Sequence, residues 1–317
     1  MKSVLASLAL AAALVSAPFH AWADGWAPPG PIKMLIGFAA GGGADTQARL
    51  IAQGLEKKYG WKVLPEQAPG NSGLNLAKQL ASEPADGTAF GMVVTETLAY
   101  SAVASKNPDF ELSKFTSLAT TARFQLGLVA MKGGEFDSWD KVKAAAAAGK
   151  PIRFGTASDR QADVAYHLGQ KTGIDFNIVP VKGGAGVMNG LRGGDLDIGW
   201  VAGAQSKPVK QGEMINIASG IPAALIDNPE APKITDLGSD FNLDGYFMFI
   251  APGNMAPDVR KALGDAIRDV LTDSSTEAYA FAQKAFGGAS VVTGEELDGY
   301  MADSVDASKK LIKAVSN

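Results

Sequence analysis

Residues 32–49, IKMLIGFAAGGGADTQAR, place a strand, three consecutive glycines and a helix start in one unbroken stretch. The β-branched and apolar run 32–38 reads as a buried strand. Ala48, Ile51, Ala52, Leu55 and Tyr59 recur at helical spacing and give the next element one apolar face. Between them, Gly41, Gly42 and Gly43 lack Cβ atoms, so the turn is free to take positive φ and to let a ligand approach bare backbone. The first N–H groups of the helix have no intrahelical partner. With the positive end of the helix dipole behind them, they suit a carboxylate, phosphate or sulfate.

The spacing is not the Walker pattern, since no Gly-Lys-Ser/Thr follows. It is not G-x-G-x-x-G either, because Thr46 stands where the last glycine would be. Nucleotide binding is disfavoured. The plainer alternative is a tight strand-to-helix turn in a generic α/β domain.

The start of the chain points to export. Met1 and Lys2 form a short basic beginning, residues 4–15 are apolar but too few to span a bilayer, and Ala21-Trp22-Ala23 matches an A-x-A cleavage site. Residues 1–23 are read as a signal peptide cleaved before Asp24, and the mature protein as periplasmic. With no cysteine in the chain, stability must come from core burial rather than disulfides. Removing Lys2 takes the formal charge from −4 to −5. That mild acidity, without any Lys/Arg run, argues against nucleic acid or a polybasic membrane role.

Strand-like and helix-like segments alternate along the mature chain, the pattern of parallel sheets covered on both faces. The first series continues with a strand at 62–66, the loop 68–73, a helix through Leu76, Ala77 and Leu80, and a strand at 89–94. A second begins near 124–130 and runs through a helix at 141–148, a strand at 152–155, a helix at 163–171, a strand at 176–181, a glycine-rich turn into 187–191, and a strand at 197–201. Helices close the chain, with Pro257 near one start and Thr293-x-x-Glu296 as a capping box. Ligands of open α/β sheets sit beyond the carboxyl ends of strands. The loops to watch are therefore Phe38, Ala39, Ala40 and Gly41 through Asp45; 68–73; 95–98; 156–161; 182–186; and 202–205. A cleft between two domains is a favoured place for such loops to meet.

Several motifs, in order, carry a family resemblance. Phe38-Ala39-Ala40-Gly41-Gly42-Gly43-Ala44-Asp45 with Ala48-Arg49 resembles the F-P-P-G-G-G-x-D…A-R start of the Bug or TctC family, the periplasmic solute-binding proteins of tripartite tricarboxylate transporters. Gln67-Ala68-Pro69-Gly70-Asn71-Ser72-Gly73 resembles N-x-P-G-A-G-G, and Ala81 through Thr88 resembles A-x-x-x-P-D-G-x-T. Val179-Pro180-Val181-Lys182-Gly183, Leu191 through Asp197, and Phe249 through Gly253 are similar to V-P-Y-K-G, L-L-x-G-x-V-D and F-A-P-A-G. The match spans nearly the whole mature chain.

The resemblance implies an α/β, two-domain Venus-flytrap fold of the second periplasmic-binding class, each domain a mostly parallel sheet flanked by helices. Its expected division is 24–122 for the first part of domain 1, 123–243 for domain 2 and 244–317 for the rest of domain 1. It also implies a small organic carboxylate in the cleft, held by backbone N–H groups of the first domain, and a membrane permease as partner; the protein is expected to act as a monomer without cofactor or metal. Two departures stand out. Ala39 and Ala40 replace a proline pair, which leaves the loop less rigid. Val201 and Ala202 stand where the family has an aspartate, which argues against an amino-acid ligand for want of an ammonium partner.

Within the loops, Arg160 is a candidate to pair bidentately with a distal carboxylate, or it is a solvated loop arginine. Thr95, Thr97, Thr156 and Ser158 offer hydroxyls to a carboxylate or to neighbouring backbone. Gly70, Asn71 and Ser72 are expected at the ligand, as are Gly183, Gly184 and Ala202. Phe38 and Trp200 either flank the ligand or pack the core. A hydrolase is the competing class, but His167 is the only histidine after the signal and no G-x-S-x-G elbow exists. A sensor that presents its ligand to a receptor shares the same fold and motifs.

Overall fold

The computed structural model describes residues 25–316. The signal segment and its cleavage position lie outside the described residues. In chain order the elements are β1 (Ile32–Ile36), α1 (Gly43–Tyr59), β2 (Val63–Gln67), α2 (Leu74–Leu80), β3 (Ala89–Val94), α3 (Ala102–Ser105), β4 (Phe115–Arg123), β5 (Leu126–Met131), α4 (Trp139–Ala147), β6 (Ile152–Thr156) and α5 (Asp159–Thr172). They continue with β7 (Phe176–Pro180), α6 (Gly184–Gly193), β8 (Ile198–Ala202), α7 (Ser206–Lys210), β9 (Met214–Ser219), β10 (Tyr246–Pro252), α8 (Pro257–Thr272), α9 (Glu277–Phe286) and α10 (Gly294–Val315).

Two five-stranded sheets result, in the orders β2-β1-β3-β10-β4 and β7-β6-β8-β5-β9. Alternation along β1 explains how the first is covered on both faces. Ile32, Met34 and Ile36 pack with Ile51 and Leu55 of α1 and Leu263 and Ile267 of α8. Leu35 faces the other way, into Leu76 and Leu80 of α2 and Leu297 and Met301 of α10. In the second sheet Phe154 and Trp200 share a core with Val164 and Leu168 of α5. Val129 and Val201 meet Val187 and Leu191 of α6 on the opposite face.

Both sheets are mixed, each with an antiparallel strand in fourth place. β10 runs against β3 and β4, and β5 runs against β8 and β9. The reason lies in the connections. Strands β1, β3, β6 and β8 run toward the junction of the two lobes, whereas β5 and β10 start there after the chain has crossed over, and so run away from it. Leu126 at the start of β5 pairs with Ala202 at the end of β8, and Phe247 near the start of β10 pairs with Val94 at the end of β3.

Two local expectations fail. Residues 115–123 were not legible as a strand, yet they form β4, buried along nearly its whole length. Thr293 caps α10 only by its backbone, with no side-chain cap bond; its hydroxyl accepts instead from Arg268 Nη2. A guanidinium from α8 has displaced the capping box.

Candidate functional site

The strand ends converge on two adjoining cavities between the lobes. The outer one, of about 250 Å³, is lined by Phe38, residues 69–73, Thr156 through Asp159, and 180–183 among others. The inner one, of about 50 Å³, lies among Gly42, Gly43, Ala44, Glu96, Ser158, Gln161, Gly184, Ala202 and the rings of Phe38, Phe124, Trp200 and Phe247. Phe38, Ala157, Ser158 and Gly183 wall both.

Two helices point their N-termini into this space. The first intrahelical bond of α1 is Thr46 N–H to Gly42 O at 3.0 Å, and that of α6 is Val187 N–H to Gly183 O at 3.3 Å. The N–H groups of Gly43, Ala44 and Asp45, and those of 184–186, therefore have no helical acceptor, and neither helix has a side-chain cap. The two ends face each other. A Cβ added at Gly42 would stand 3.8 Å from Ala185 N, and one at Gly43 would stand 2.9 Å from Ala202 O. Both dipoles thus offer partial positive charge to one small volume.

The triple glycine works differently from the expectation. Only Gly41 takes a positive φ, at +81°. Gly42 is extended at φ −81° and a Cβ there would meet only ordinary contacts, whereas at Gly43 a Cβ would stand 2.9 Å from Ala202 O, so Gly43 is the glycine that close approach between the lobes requires. The loop is held from below by Asp45, buried, whose carboxylate accepts from Gly41 N at 3.0 Å, Arg49 Nε at 2.9 Å and Gln67 Nε2 at 2.5 Å. The second loop is more strained. Gly70, Asn71, Ser72 and Gly73 all have positive φ, two of them without being glycine.

The N-terminal turns of α5 join the second lobe to the first. Ser158 Oγ accepts from Gln161 N at 3.3 Å and donates to Glu96 Oε2 at 3.2 Å. Asp159 N donates to Ser72 Oγ at 3.1 Å, and Tyr100 Oη donates to Asp163 Oδ2. Burial pushes the carboxyls of Glu96 and Asp163 above the usual range; Arg160 and Ser158 partly offset this at Glu96, and Tyr100 does at Asp163. Burial and the neighbouring Asp163 push the Tyr100 hydroxyl upward as well.

Of the residues singled out in the sequence, Phe38, Gly42, Gly43, Gly70, Asn71, Ser72, Thr156, Ser158, Gly183, Gly184 and Ala202 line the two cavities. Others do not. Ala39, Ala40, Gly41 and Asp45 shape the first loop from outside. Thr95 Oγ1 accepts from Tyr246 N at 3.2 Å, and Thr97 Oγ1 donates to Ser72 O at 3.0 Å, so both brace backbone. Arg160 turns aside: its two Nη atoms donate to Asp244 O at 2.8 Å and Asn242 O at 3.1 Å. It clamps the strand crossover and lines neither cavity. His167 is also outside, its Nε2 3.3 Å from Asp240 Oδ2.

Sequence reasoning passed over Glu96, Gln161 and Phe124. For Glu96 a signal was available, since a lone acid interrupts the apolar run at the carboxyl end of β3. Two donors of cavity-lining residues, Thr156 Oγ1 and Trp200 Nε1, have no hydrogen-bond partner among the described residues. Among the described residues no cluster of three metal-ligating side chains occurs, and no helix is long and apolar enough to cross a membrane.

Two α/β lobes meeting over a small, donor-lined cleft define a solute-binding receptor of the periplasmic-binding type. The profile described as tripartite tricarboxylate transporter family receptor matches residues 47–316, and the chain belongs to that family. BugT of Bordetella pertussis is 26% identical over 293 residues, covering 88% of this chain and 87% of that relative. The fold is shared with R. palustris Rpa4515 with adipate, at TM-score 0.78 and 20% identity over 91% of this chain and 98% of that one. It is shared equally with MatC of Rhodopseudomonas palustris with bound malate, at TM-score 0.78 and 17% identity over 90% and 99%.

Proposed function

We propose that this protein is a periplasmic receptor that captures a small organic carboxylate between its lobes and delivers it to a membrane permease. The observation that carries the reading is the pair of uncapped N-termini, α1 and α6, facing each other across one cavity. The N–H groups of Gly43, Ala44 and Gly184, without helical acceptors, and the donors of Thr156 and Trp200 suit carboxylate oxygens. Membership of a transporter receptor family and fold neighbours holding adipate and malate support the same ligand class. Strand partners support lobes of 24–122 with 244–317, and 123–243.

The mechanism is closure: a ligand bridging the α1 and α6 termini favours the arrangement in which the lobes touch. Thermal-shift screening of the mature protein against mono-, di- and aromatic carboxylates tests the ligand class, and a panel without any stabilising carboxylate refutes it. Gene deletion followed by uptake of the hit tests delivery. Unimpaired uptake with lost induction of transport genes would assign a sensor instead.

A further inference from the structure

Resting on the carboxylate reading above, we infer that Glu96 is a second recognition group in the cleft, and that the ligand carries a protonated amine alongside its carboxylate.

Glu96 stands two residues past the end of β3 and is only 2% exposed, yet it lines the inner cavity together with the α1 and α6 termini. Its one hydrogen-bond partner among the described residues is Ser158 Oγ, at 3.2 Å. A carboxylate accepts about four hydrogen bonds, so most of its capacity is unused. Nor does it have an ion pair among the described residues. Arg160 is the cation whose charge reaches it, but that guanidinium is committed to Asp244 O and Asn242 O and makes no salt bridge with Glu96 within 4.0 Å. In the inner cavity Glu96 shares the walls with Ser158, Gln161, Trp200, Phe124 and Phe247, and on its other side it borders a second cavity with Thr95, Arg160, Asp240, Asp244 and Tyr300, so Arg160 is the one cation among these neighbours. A buried acid with one partner is costly unless something else compensates it.

With a simple carboxylate in the cleft, Glu96 closes at the cost of taking up a proton, whereas an ammonium lets it stay ionised. The carboxylate's negative charge would enter the same small cavity, and two carboxylates in one site cannot both ionise cheaply. A zwitterion places each end against its complement, the carboxylate at the helix termini and the ammonium at Glu96. The acid that the end of β8 lacks, with Val201 and Ala202 in its place, is on this proposal supplied from the loop after β3. This proposal runs against the expectation drawn from that absence, and the matched-pair test below decides between them.

The test is calorimetry on the mature protein with matched pairs that differ only by the α-amine: alanine and propionate, glutamate and glutarate, phenylalanine and 3-phenylpropionate. At least one amine-bearing member should bind roughly tenfold or more tighter than its partner. In E96Q, which keeps shape and removes charge, that advantage should shrink to about threefold or less while the amine-free member tightens. Equal affinity within every binding pair in the wild-type protein overturns the role of Glu96 and leaves the carboxylate reading intact. So does an amine preference that survives E96Q. Absence of binding by all six compounds counts against the zwitterion, and against the carboxylate reading too if the wider panel is silent. The wild-type comparison needs no variant, so it decides even if E96Q folds poorly.

Discussion

Asp45 reaches back one helical turn to accept the N–H of Gly41, with its Oδ2 3.0 Å from that nitrogen. The same carboxylate holds Arg49 and Gln67, so a single buried acid fixes the loop whose glycines face the second lobe. Replacing it by alanine removes all three bonds.

Asp45→Ala should therefore cost about 1.5–3 kcal/mol of stability, the scale of a hydrogen bond to a charged group when exposed donors can turn to water. Ligand affinity should fall too, although Asp45 touches neither cavity. Urea unfolding with calorimetry checks both, and an unchanged midpoint would show that the loop holds its shape without its acid.

Gly41 and Gly43 should separate in their effects. Gly41→Ala puts a Cβ on a left-handed residue in open space, costing about 1–2 kcal/mol of stability. Gly43→Ala puts a Cβ 2.9 Å from Ala202 O, a clash made only when the lobes meet. Its loss should appear as weaker binding, roughly tenfold or more, with little change in the melting of ligand-free protein. Tight binding by a folded Gly43→Ala protein would mean that the lobes need not come this close.

Closure should depend on pH. Glu96 and Asp163 both have carboxyls raised by burial between the lobes, and opening returns them toward the ordinary value of about 4. The closed form therefore binds protons more tightly. Its share should rise as pH falls through the window between raised and ordinary values, and decline as pH climbs through it. Scattering from ligand-free protein should give a smaller radius of gyration near about pH 5 than near about pH 8. The difference should vanish in Glu96→Gln/Asp163→Asn, and an opposite trend would refute the assignment.

Export can be checked directly. The basic start, apolar run and A-x-A site predict a chain beginning at Asp24 and released by osmotic shock. N-terminal sequencing that finds Met1 on a protein retained in the cytoplasm would overturn it.

The sequence by itself determined the alternation of strands and helices, the two-lobed class and the loops that meet in the cleft. These depend on local periodicity and on turn residues, which short stretches such as 32–49 carry whole. Tertiary structure decided the rest. β4 reads as polar because its hydroxyls find partners far along the chain: Thr120 Oγ1 donates to Ser290 O at 2.6 Å, and Thr121 Oγ1 to Gln47 Oε1 at 2.7 Å. Arg160 read as either a ligand clamp or a solvated loop arginine, and the segment leading into the return strand gave it the carbonyls of Asn242 and Asp244 instead. Glu96 was not singled out in the sequence, and only the meeting of two lobes buried it with Ser158 as its hydrogen-bond partner. Which side chains a residue faces across a cleft depends on where distant strands end, and no local pattern encodes that.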